Sequence, residues 1–290
     1  MLNEDKLKKF VYWINERESI RLSKTIGRPA PWTEDQFLQQ YRFCNVHRVD
    51  DRVSQWLLKN VYEPYRAHEL LWFMAACARW VNWPPAIQEL MDQGAWPTMW
   101  FDADRFGAVI DERVARGDKA WTGAYMIHSL SHPDIGKGTW IAAKALQPLY
   151  DRRIEFSHFF KQERRTVEAG VGKIAGSFNH GTFMAGQIVA DWTYTKLMQS
   201  APDLYTWAPI GPGSKRGMNR LHDRALEGSL SQEQFTDELQ ELMSLVVDMT
   251  KIGISMTAHD FQNCLCEFDK YLRLEQGGQV RSKYQPETRF

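Results

Sequence analysis

The chain has 290 residues, of which 43% are apolar and 13% aromatic, so it can bury a large core and is not a disordered protein. Its 36 lysines and arginines balance 36 aspartates and glutamates, so a polyanionic partner would have to meet a local basic patch. Five of the first ten residues are charged, and the longest apolar run, 70–78, has nine residues. These features predict a cytoplasmic protein without an export signal or a membrane partner.

Helical spacing of apolar residues dominates the chain. One stripe consists of Val53, Trp56, Leu57 and Val61, and a second stripe extends over residues 235–246. Sustained alternation of apolar and polar residues, which a half-buried β-sheet requires, is absent from the sequence. We therefore predict a mainly α-helical fold, with a single intertwined domain over residues 1–275 and a polar extension over 276–290.

Two capping patterns mark expected helix starts. Thr33 is followed by Gln36, and Ser231 is followed by Gln234, as in a capping box. The four cysteines show no C-x-x-C spacing, which favours reduced thiols over a disulfide framework or a zinc site. Neither His-Ser-Leu-Ser-His at 128–132 nor any other stretch gives a convincing metal motif, so no metal ligands are predicted.

The stretch SFNHGTFMAGQIVADW, residues 177–192, predicts a glycine-centred turn followed by a helix. The helix would expose its N-terminus at Gly181 and Thr182, where free N–H groups and the helix dipole can hold a DNA phosphate. We therefore expect DNA contacts from His180, Gly181 and Thr182. A plain packing corner between two helices would give the same pattern. Asp191, late in this helix, is either a surface residue or a catalytic carboxylate.

The stretch GPGSKRGMNRLH, residues 211–222, combines three glycines with three cations. Such a segment can form an exposed loop whose backbone amides and basic side chains surround a phosphate or pyrophosphate. It lacks the spacing of a nucleotide-kinase loop. A glycine turn followed by a basic, solvated helix would have the same sequence pattern.

Five blocks occur in order along the chain: YRFCNVHRVDDRVSQWL (41–57), TGAYMI (122–127), FMAGQIVADW (183–192), GPGSKRGMNRL (211–221) and HDFQNCLCEFDKYLRL (259–274). Together they resemble the phage family of α-glutamyl/putrescinyl thymine pyrophosphorylases, which includes the helical domain found with 5-hydroxymethyluracil DNA kinases. The resemblance covers roughly residues 10–285. It implies a helical fold related to helix-hairpin-helix DNA glycosylases, although the usual Leu-Pro-Gly turn is replaced here by residues 177–181.

The resemblance also implies a reaction on double-stranded phage DNA in an infected bacterial cell. An upstream DNA kinase leaves a pyrophosphate on the exocyclic methylene of 5-hydroxymethyluracil, and the enzyme replaces it with a free amino acid or polyamine. Since no Walker-type loop is present, the chain resembles the transferase and not the kinase. No organic cofactor is implied, and a role for Mg²⁺ stays open. Two alternatives remain: a DNA glycosylase that excises the modified base, and a non-catalytic DNA-binding helical module.

Site residues follow from the resemblance and from the chemistry of the reaction. Fixed cations stabilise the departing pyrophosphate, and a base removes a proton from the attacking amine. The predicted catalytic residues are Asp191, Lys215, Arg216, Asp260 and His259. The predicted substrate-binding residues are Arg42, Asn45, Arg48, Asp51, Arg52, Gly211, Gly213, Ser214, Glu267, Asp269 and Lys270. A structural ion-pair network would explain the polar residues of 42–52 equally well.

DNA binding is expected to draw on two further kinds of side chain. The predicted basic patch consists of Arg220 together with Lys215, Arg216, Arg152, Arg153, Lys161, Arg164 and Arg165. A base flipped out of the duplex would need an aromatic surface on which to stack, and Trp192 and Tyr125 are the candidates.

Overall fold

The computed structural model of the chain describes residues 2–122, 135–177, 179–250, 252 and 255–279. Within these ranges the regular elements are helices and none is a β-strand, which confirms the mainly α-helical prediction. None of these helices combines the length and the apolar composition needed to cross a membrane.

The chain divides into two compact units. Unit 1 comprises Met1–Asp51 and Asp203–Arg289, so it contains both terminal parts of the chain, and unit 2 is formed by Arg52–Pro202. The expectations of one intertwined domain and of a glycosylase-like fold stay predictions.

The α-helices of unit 1 are α1 (Glu4–Thr25), α2 (Gln36–Gln40), α12 (Pro212–Leu221), α13 (Gln232–Met249) and α14 (Ala258–Glu275). Those of unit 2 are α3 (Arg52–Leu57), α4 (Leu71–Val81), α5 (Pro84–Asp92), α6 (Ala103–Ala115), α7 (Lys137–Ile141), α8 (Gln147–Asp151), α9 (Arg153–Lys161), α10 (Val167–Ala175) and α11 (Thr182–Thr193). A 3₁₀ turn (Arg48–Asp50) and two π turns (Leu58–Tyr62 and Ala142–Leu146) complete the regular structure.

Unit 1 is built around an apolar core shared by α1, α12, α13 and α14. Phe10 of α1 and Phe268 of α14 are fully buried and meet edge to face, with ring centroids 5.1 Å apart. Burial of one such ring stabilises the fold by about 1.5–3 kcal/mol. The core therefore fixes α14 against α1, and this pairing positions the polar groups described below.

Both sequence stripes lie on buried helix faces, but only one of the two predicted caps forms. Ser231 caps α13 by accepting from the Gln234 N–H at 3.1 Å, which confirms that prediction. The Thr33 cap is wrong, because Asp35 is the N-cap of α2 and accepts from the N–H groups of Phe37 and Leu38. Asp35 competes better because a carboxylate is a stronger acceptor than the threonine hydroxyl.

Unit 2 buries every residue of α4. Trp192 of α11 is fully buried there and donates its Nε1–H to the Trp72 carbonyl at 3.0 Å. The expectation that Trp192 stacks on a flipped base is therefore wrong, since its ring already packs edge to face on Phe156 and Phe160.

Candidate functional site

Polar side chains of α14 meet the segment 41–51 along one face of the helix. We call this group the α14 cluster; its members are Arg17, Asn45, His47, Arg48, Asp51, Asp260, Glu267 and Lys270. On α14, positions 260, 263, 267 and 270 share a face because they are separated by three or four residues. The Arg48 N–H donates to Asp260 Oδ1 at 2.9 Å, and the Cys44 N–H donates to Glu267 Oε2 at 3.3 Å. The segment therefore runs antiparallel to the helix.

Arg17 of α1 holds this segment in place, although the sequence analysis did not single it out. Its guanidinium donates to the carbonyls of Phe43 and Cys44, both at 3.2 Å, and to Asn45 Oδ1 at 3.1 Å. The residue is only 6% exposed. Three charge-assisted hydrogen bonds to one short turn fix its backbone and place the residues that follow.

Asp51 is the member of the cluster best suited to accept a proton. Its Oδ1 accepts the Asn45 N–H at 2.9 Å, whereas Oδ2 has no hydrogen-bond partner in the described part of the chain. Burial raises the pKa of the Asp51 carboxyl to about 6, against the opposing effects of the Asn45 hydrogen bond and the Arg48 charge. A half-buried carboxylate with a pKa near neutrality can take up and release protons at working pH.

Asp260 has a different role from the one predicted. Its Oδ2 accepts from both the N–H and the hydroxyl of Thr257 at 2.9 Å, which forms a capping box at the start of α14. Burial alone would raise the pKa of Asp260, but the nearby His47 and the hydrogen bonds from Arg48 and Thr257 lower it. Asp260 thus caps α14 with one oxygen and holds segment 41–51 to the helix with the other. Its neighbour His259 is only 4% exposed.

The lysine and glutamate at the far end of the cluster form a local pair. Lys270 Nζ lies 3.3 Å from Glu267 Oε2, donates to the Arg42 carbonyl and lies 4.5 Å from the Phe43 ring centroid. Arg42 itself is exposed, and Arg52 is an exposed residue of unit 2.

Residues 212–221 form the helix α12, so the expectation of an exposed anion-binding loop is wrong for them. Gly213 and Gly217 allow this helix to pack closely on α14. A Cβ at Gly217 would overlap the Leu265 carbonyl oxygen and lie 2.8 Å from its carbon. A Cβ at Gly213 would overlap Cys266 Sγ. The spacing of four places both glycines on the face of α12 that packs on α14.

The predicted substrate residues Gly211 and Ser214 close the start of α12. Ser214 is fully buried, accepts the Gly211 N–H at 2.9 Å and accepts from Gln262 Nε2 at 3.3 Å. Because the hydroxyl already serves the helix cap and α14, the geometry favours a structural role for both residues.

The cations of α12 are all paired with carboxylates. Asp269, 2% exposed, accepts from Arg216 Nε at 3.0 Å and from Arg220 Nε at 2.7 Å. Glu227 lies 3.5 Å from both Lys215 Nζ and Arg216 Nη1, and its side chain is 74% exposed. Arg220 is therefore an interior residue and not part of an exposed basic patch, whereas Lys215 and Arg216 remain 25% and 29% exposed.

Asp191 belongs to unit 2 and is fully buried. Arg79 donates to both of its oxygens at 2.5 Å, and the Tyr62 hydroxyl donates to Oδ2. The guanidinium also donates to Ser54 Oγ at 3.0 Å and Asn82 Oδ1 at 3.1 Å. We call these five residues the Asp191 network. Its geometry favours a structural ion pair, and a catalytic role for Asp191 stays a prediction.

The start of α11 matches the expected exposed helix N-terminus. Gly181 is the N-cap without a side-chain hydrogen bond, and both Gly181 and Thr182 are exposed. His180 differs from the expectation: it is 3% exposed, and its Nε2 accepts the Trp80 Nε1–H at 3.0 Å. Its ring therefore packs inside unit 2, and DNA contact by Gly181 and Thr182 stays a prediction.

Other expected DNA contacts differ in exposure. Arg153, Lys161 and Arg164 are exposed, whereas Arg152 donates to Ser177 Oγ and Arg165 donates to the Leu197 carbonyl at 3.0 Å. Tyr125 and the histidines of 128–132 lie outside the described residues. Within the described ranges, no three His, Cys, Asp or Glu side chains are grouped to hold a metal ion.

Comparison with known proteins identifies the family. The family model described as "5-hmdU DNA kinase, helical domain" matches residues 4–279. The chain belongs to this family. It is 27% identical over 230 residues to the 5-hmdU DNA kinase of Bacillus phage SP10, in an alignment that covers 73% of this chain. The alignment covers 36% of the kinase, so the chain spans about a third of that relative's length. No solved structure matches the chain.

Membership in the helical-domain family confirms the coarser part of the sequence resemblance. The family description and the name of the phage relative both refer to 5-hmdU in DNA. The likeness to pyrophosphorylases and the amine-transfer reaction stay proposals.

Proposed function

We propose that this member of the family is a transferase that forms hypermodified thymine in phage DNA. It replaces the pyrophosphate of 5-pyrophosphoryloxymethyluracil with an amine from an amino acid or a polyamine. The family supports an action on DNA that carries 5-hmdU. The observation that carries the proposal is the half-buried Asp51, whose Oδ2 has no partner within the described ranges and whose pKa is raised to about 6.

The reaction requires one proton acceptor and one stabilised leaving group. The amine nitrogen forms a bond to the exocyclic methylene carbon while the carbon–oxygen bond to pyrophosphate breaks. Asp51 Oδ2 takes the proton that the nitrogen loses, and pyrophosphate leaves with the electron pair of the broken bond. Cations near the leaving group stabilise the transition state more than the ground state, because negative charge accumulates there.

Lys215 and Arg216 are the proposed cations for pyrophosphate. Their shared partner Glu227 is 74% exposed, and an exposed ion pair is worth only about 0–1 kcal/mol. A pyrophosphate carries more charge than one carboxylate and can displace Glu227 from both side chains. Asp269 stays in place because it is buried between Arg216 and Arg220.

The test uses duplex DNA that contains 5-pyrophosphoryloxymethyluracil and a mixture of amino acids and polyamines. The DNA is digested to nucleosides, which are weighed by mass spectrometry. We expect pyrophosphate release and a nucleoside heavier by one amine, above a control without enzyme. Free base and abasic sites without an adduct would identify a glycosylase and contradict the transferase.

A second candidate is a non-catalytic DNA-binding helical module. The family description favours it, because it assigns the helical domain to a kinase, and this chain corresponds to about a third of such a kinase. In the same assay such a module leaves the modified nucleoside unchanged. It would instead bind the modified duplex more tightly than unmodified DNA of the same sequence.

A further inference from the structure

A cavity of about 310 Å³ lies in unit 1 between α1, α12 and α14. Its walls include Lys6, Lys9 and Arg220, together with the carboxylates of Asp5 and Glu275. The volume is near the lower end of the range of about 300–1,000 Å³ that small-molecule sites occupy. The lining thus contains three cations and two carboxylates, and two further carboxylates, Asp223 and Asp269, pair with Lys6 and Arg220.

Arg220 brings an unpaired donor to this cavity. Its side chain is 7% exposed, its Nε donates to Asp269 at 2.7 Å, and its Nη1 donates to Gln276 Oε1 at 3.1 Å. Its Nη2 has no hydrogen-bond partner among the described residues. Nη2 is not among the buried nitrogens that lack a partner, so it is accessible from the cavity and can donate to an oxyanion there.

Each of the two lysines pairs with a carboxylate that is at least partly exposed. Lys6, 36% exposed, pairs with Asp223, which is 55% exposed. Lys9, 41% exposed, pairs with Glu275 at 2.7 Å. Pairs of this kind contribute about 0–1 kcal/mol, so a multiply charged anion can exchange with the carboxylates. Lys6 also lies in the first turn of α1, where the helix dipole favours negative charge.

We propose that this cavity binds a phosphoryl oxyanion through Arg220 Nη2, Lys6 and Lys9. Two sources supply that chemistry: a backbone phosphate of DNA and free pyrophosphate. The guanidinium and the two ammonium groups offer directional donors and charge to either one. The site is distinct from the Lys215 and Arg216 pair, and it does not depend on amine transfer, because binding is measured without turnover.

The test compares two neighbouring lysines of α1. Lys9 lines the cavity, whereas Lys8 is exposed and lies 4.0 Å from Glu4 in a surface pair. Binding of sodium pyrophosphate is measured by calorimetry, and binding of an unmodified DNA duplex by fluorescence anisotropy, at low salt. Lys9→Gln should weaken binding about fivefold to tenfold, and Lys8→Gln less than twofold.

The two measurements separate the sources of the phosphoryl group. Weaker pyrophosphate binding with unchanged DNA affinity identifies the free anion, and weaker DNA affinity without detectable pyrophosphate binding identifies the backbone phosphate. Glu275→Gln removes the carboxylate that competes for Lys9 and should strengthen the same interaction. The proposal is overturned if Lys9→Gln and Lys8→Gln bind both probes equally.

Discussion

Two carboxylate sites, one in each unit, show how differently the same chemical group can be used. Asp191 of unit 2 is fully buried, and Arg79 and Tyr62 occupy both of its oxygens. Asp51 of unit 1 is half-buried and has one oxygen without a partner in the described residues. A carboxylate that is completely paired stabilises a fold, whereas one held by a single hydrogen bond can still exchange a proton. The comparison therefore favours a structural role for Asp191 and supports the proposed role of Asp51 as the proton acceptor.

The largest effect on stability is expected when the buried ion pair between Asp191 and Arg79 in unit 2 is broken. Asp191→Asn leaves the Arg79 guanidinium buried without a full counter-charge, which should lower the free energy of unfolding by about 3–5 kcal/mol. Urea unfolding at pH 7 measures the loss. Asp51→Asn is the matched control: asparagine keeps the oxygen that accepts from Asn45 and removes an ionisation that opposes folding, so no loss of stability is expected. Equal losses in the two variants would remove the distinction between the sites.

The raised pKa of Asp51 also predicts how the stability of the protein changes with pH. Its pKa is raised on folding, so its ionisation opposes folding, and the stability from this group declines as pH rises through about 6. Relative to the wild type, Asp51→Asn should therefore become more stable between pH 5 and pH 7, as measured by urea unfolding at several pH values. If the free energies of unfolding of the wild type and the variant changed with pH in parallel, the raised pKa of Asp51 would be contradicted.

A smaller effect is expected from the glycines that allow α12 to pack on α14. Gly217→Ala places a Cβ against the Leu265 carbonyl, and the required shift should cost about 1–3 kcal/mol. Gly172, in α10 of unit 2, has no atom within 4 Å of an added Cβ. Gly172→Ala should thus stabilise its helix by about 0.5–1 kcal/mol. If both alanines stabilised the protein in urea unfolding, close packing would not explain Gly217.

The smallest effect concerns His47, which pairs with Asp260. The Asp260 carboxylate, 3.9 Å from His47 Nδ1, raises the pKa of His47 against the opposing effect of burial. The charged imidazole therefore stabilises the fold below the ordinary pKa of about 6.5, and this contribution disappears as pH rises through the raised value. His47→Gln should lower stability by about 0.5 kcal/mol at pH 6 and by less at pH 8. A pH-independent difference between the proteins would contradict this assignment.

Local sequence patterns predicted the helices better than the contacts between them. The stripe of 235–246 became α13 because apolar spacing directly records which helix face is buried. The glycines of α12 were misinterpreted because glycine permits both a tight turn and a close helix crossing, and only the partner helix distinguishes the two. Asp260 was predicted to be catalytic and Asp269 to bind substrate, because their partners Arg48 and Arg220 lie more than forty residues away in sequence and no local pattern shows them.

Arg17 and Arg79, which sequence reasoning missed, are both charged residues on otherwise apolar helix faces. Arg17 falls on the apolar stripe of α1 with Phe10, Trp13 and Ile14, and Arg79 interrupts the apolar run of α4. A single charge on a buried face must find a partner, because burying it alone is too costly. Such arginines could therefore have been predicted as centres of polar networks. The identity of the partners, Asp191 for Arg79 and the turn 43–45 for Arg17, required the tertiary structure.

The most direct test of the account is the rate of adduct formation by Asp51→Asn on DNA that carries 5-pyrophosphoryloxymethyluracil. Asp50→Asn is the control, because it removes the neighbouring carboxylate, whose side chain is 28% exposed and pairs with Arg21 at 3.2 Å. At saturating DNA and amine, Asp51→Asn should slow amine transfer about a hundredfold, the lower end of what a general base contributes, while Asp50→Asn stays near the wild-type rate. An Asp51→Asn protein that is folded and transfers the amine at the wild-type rate would contradict the account.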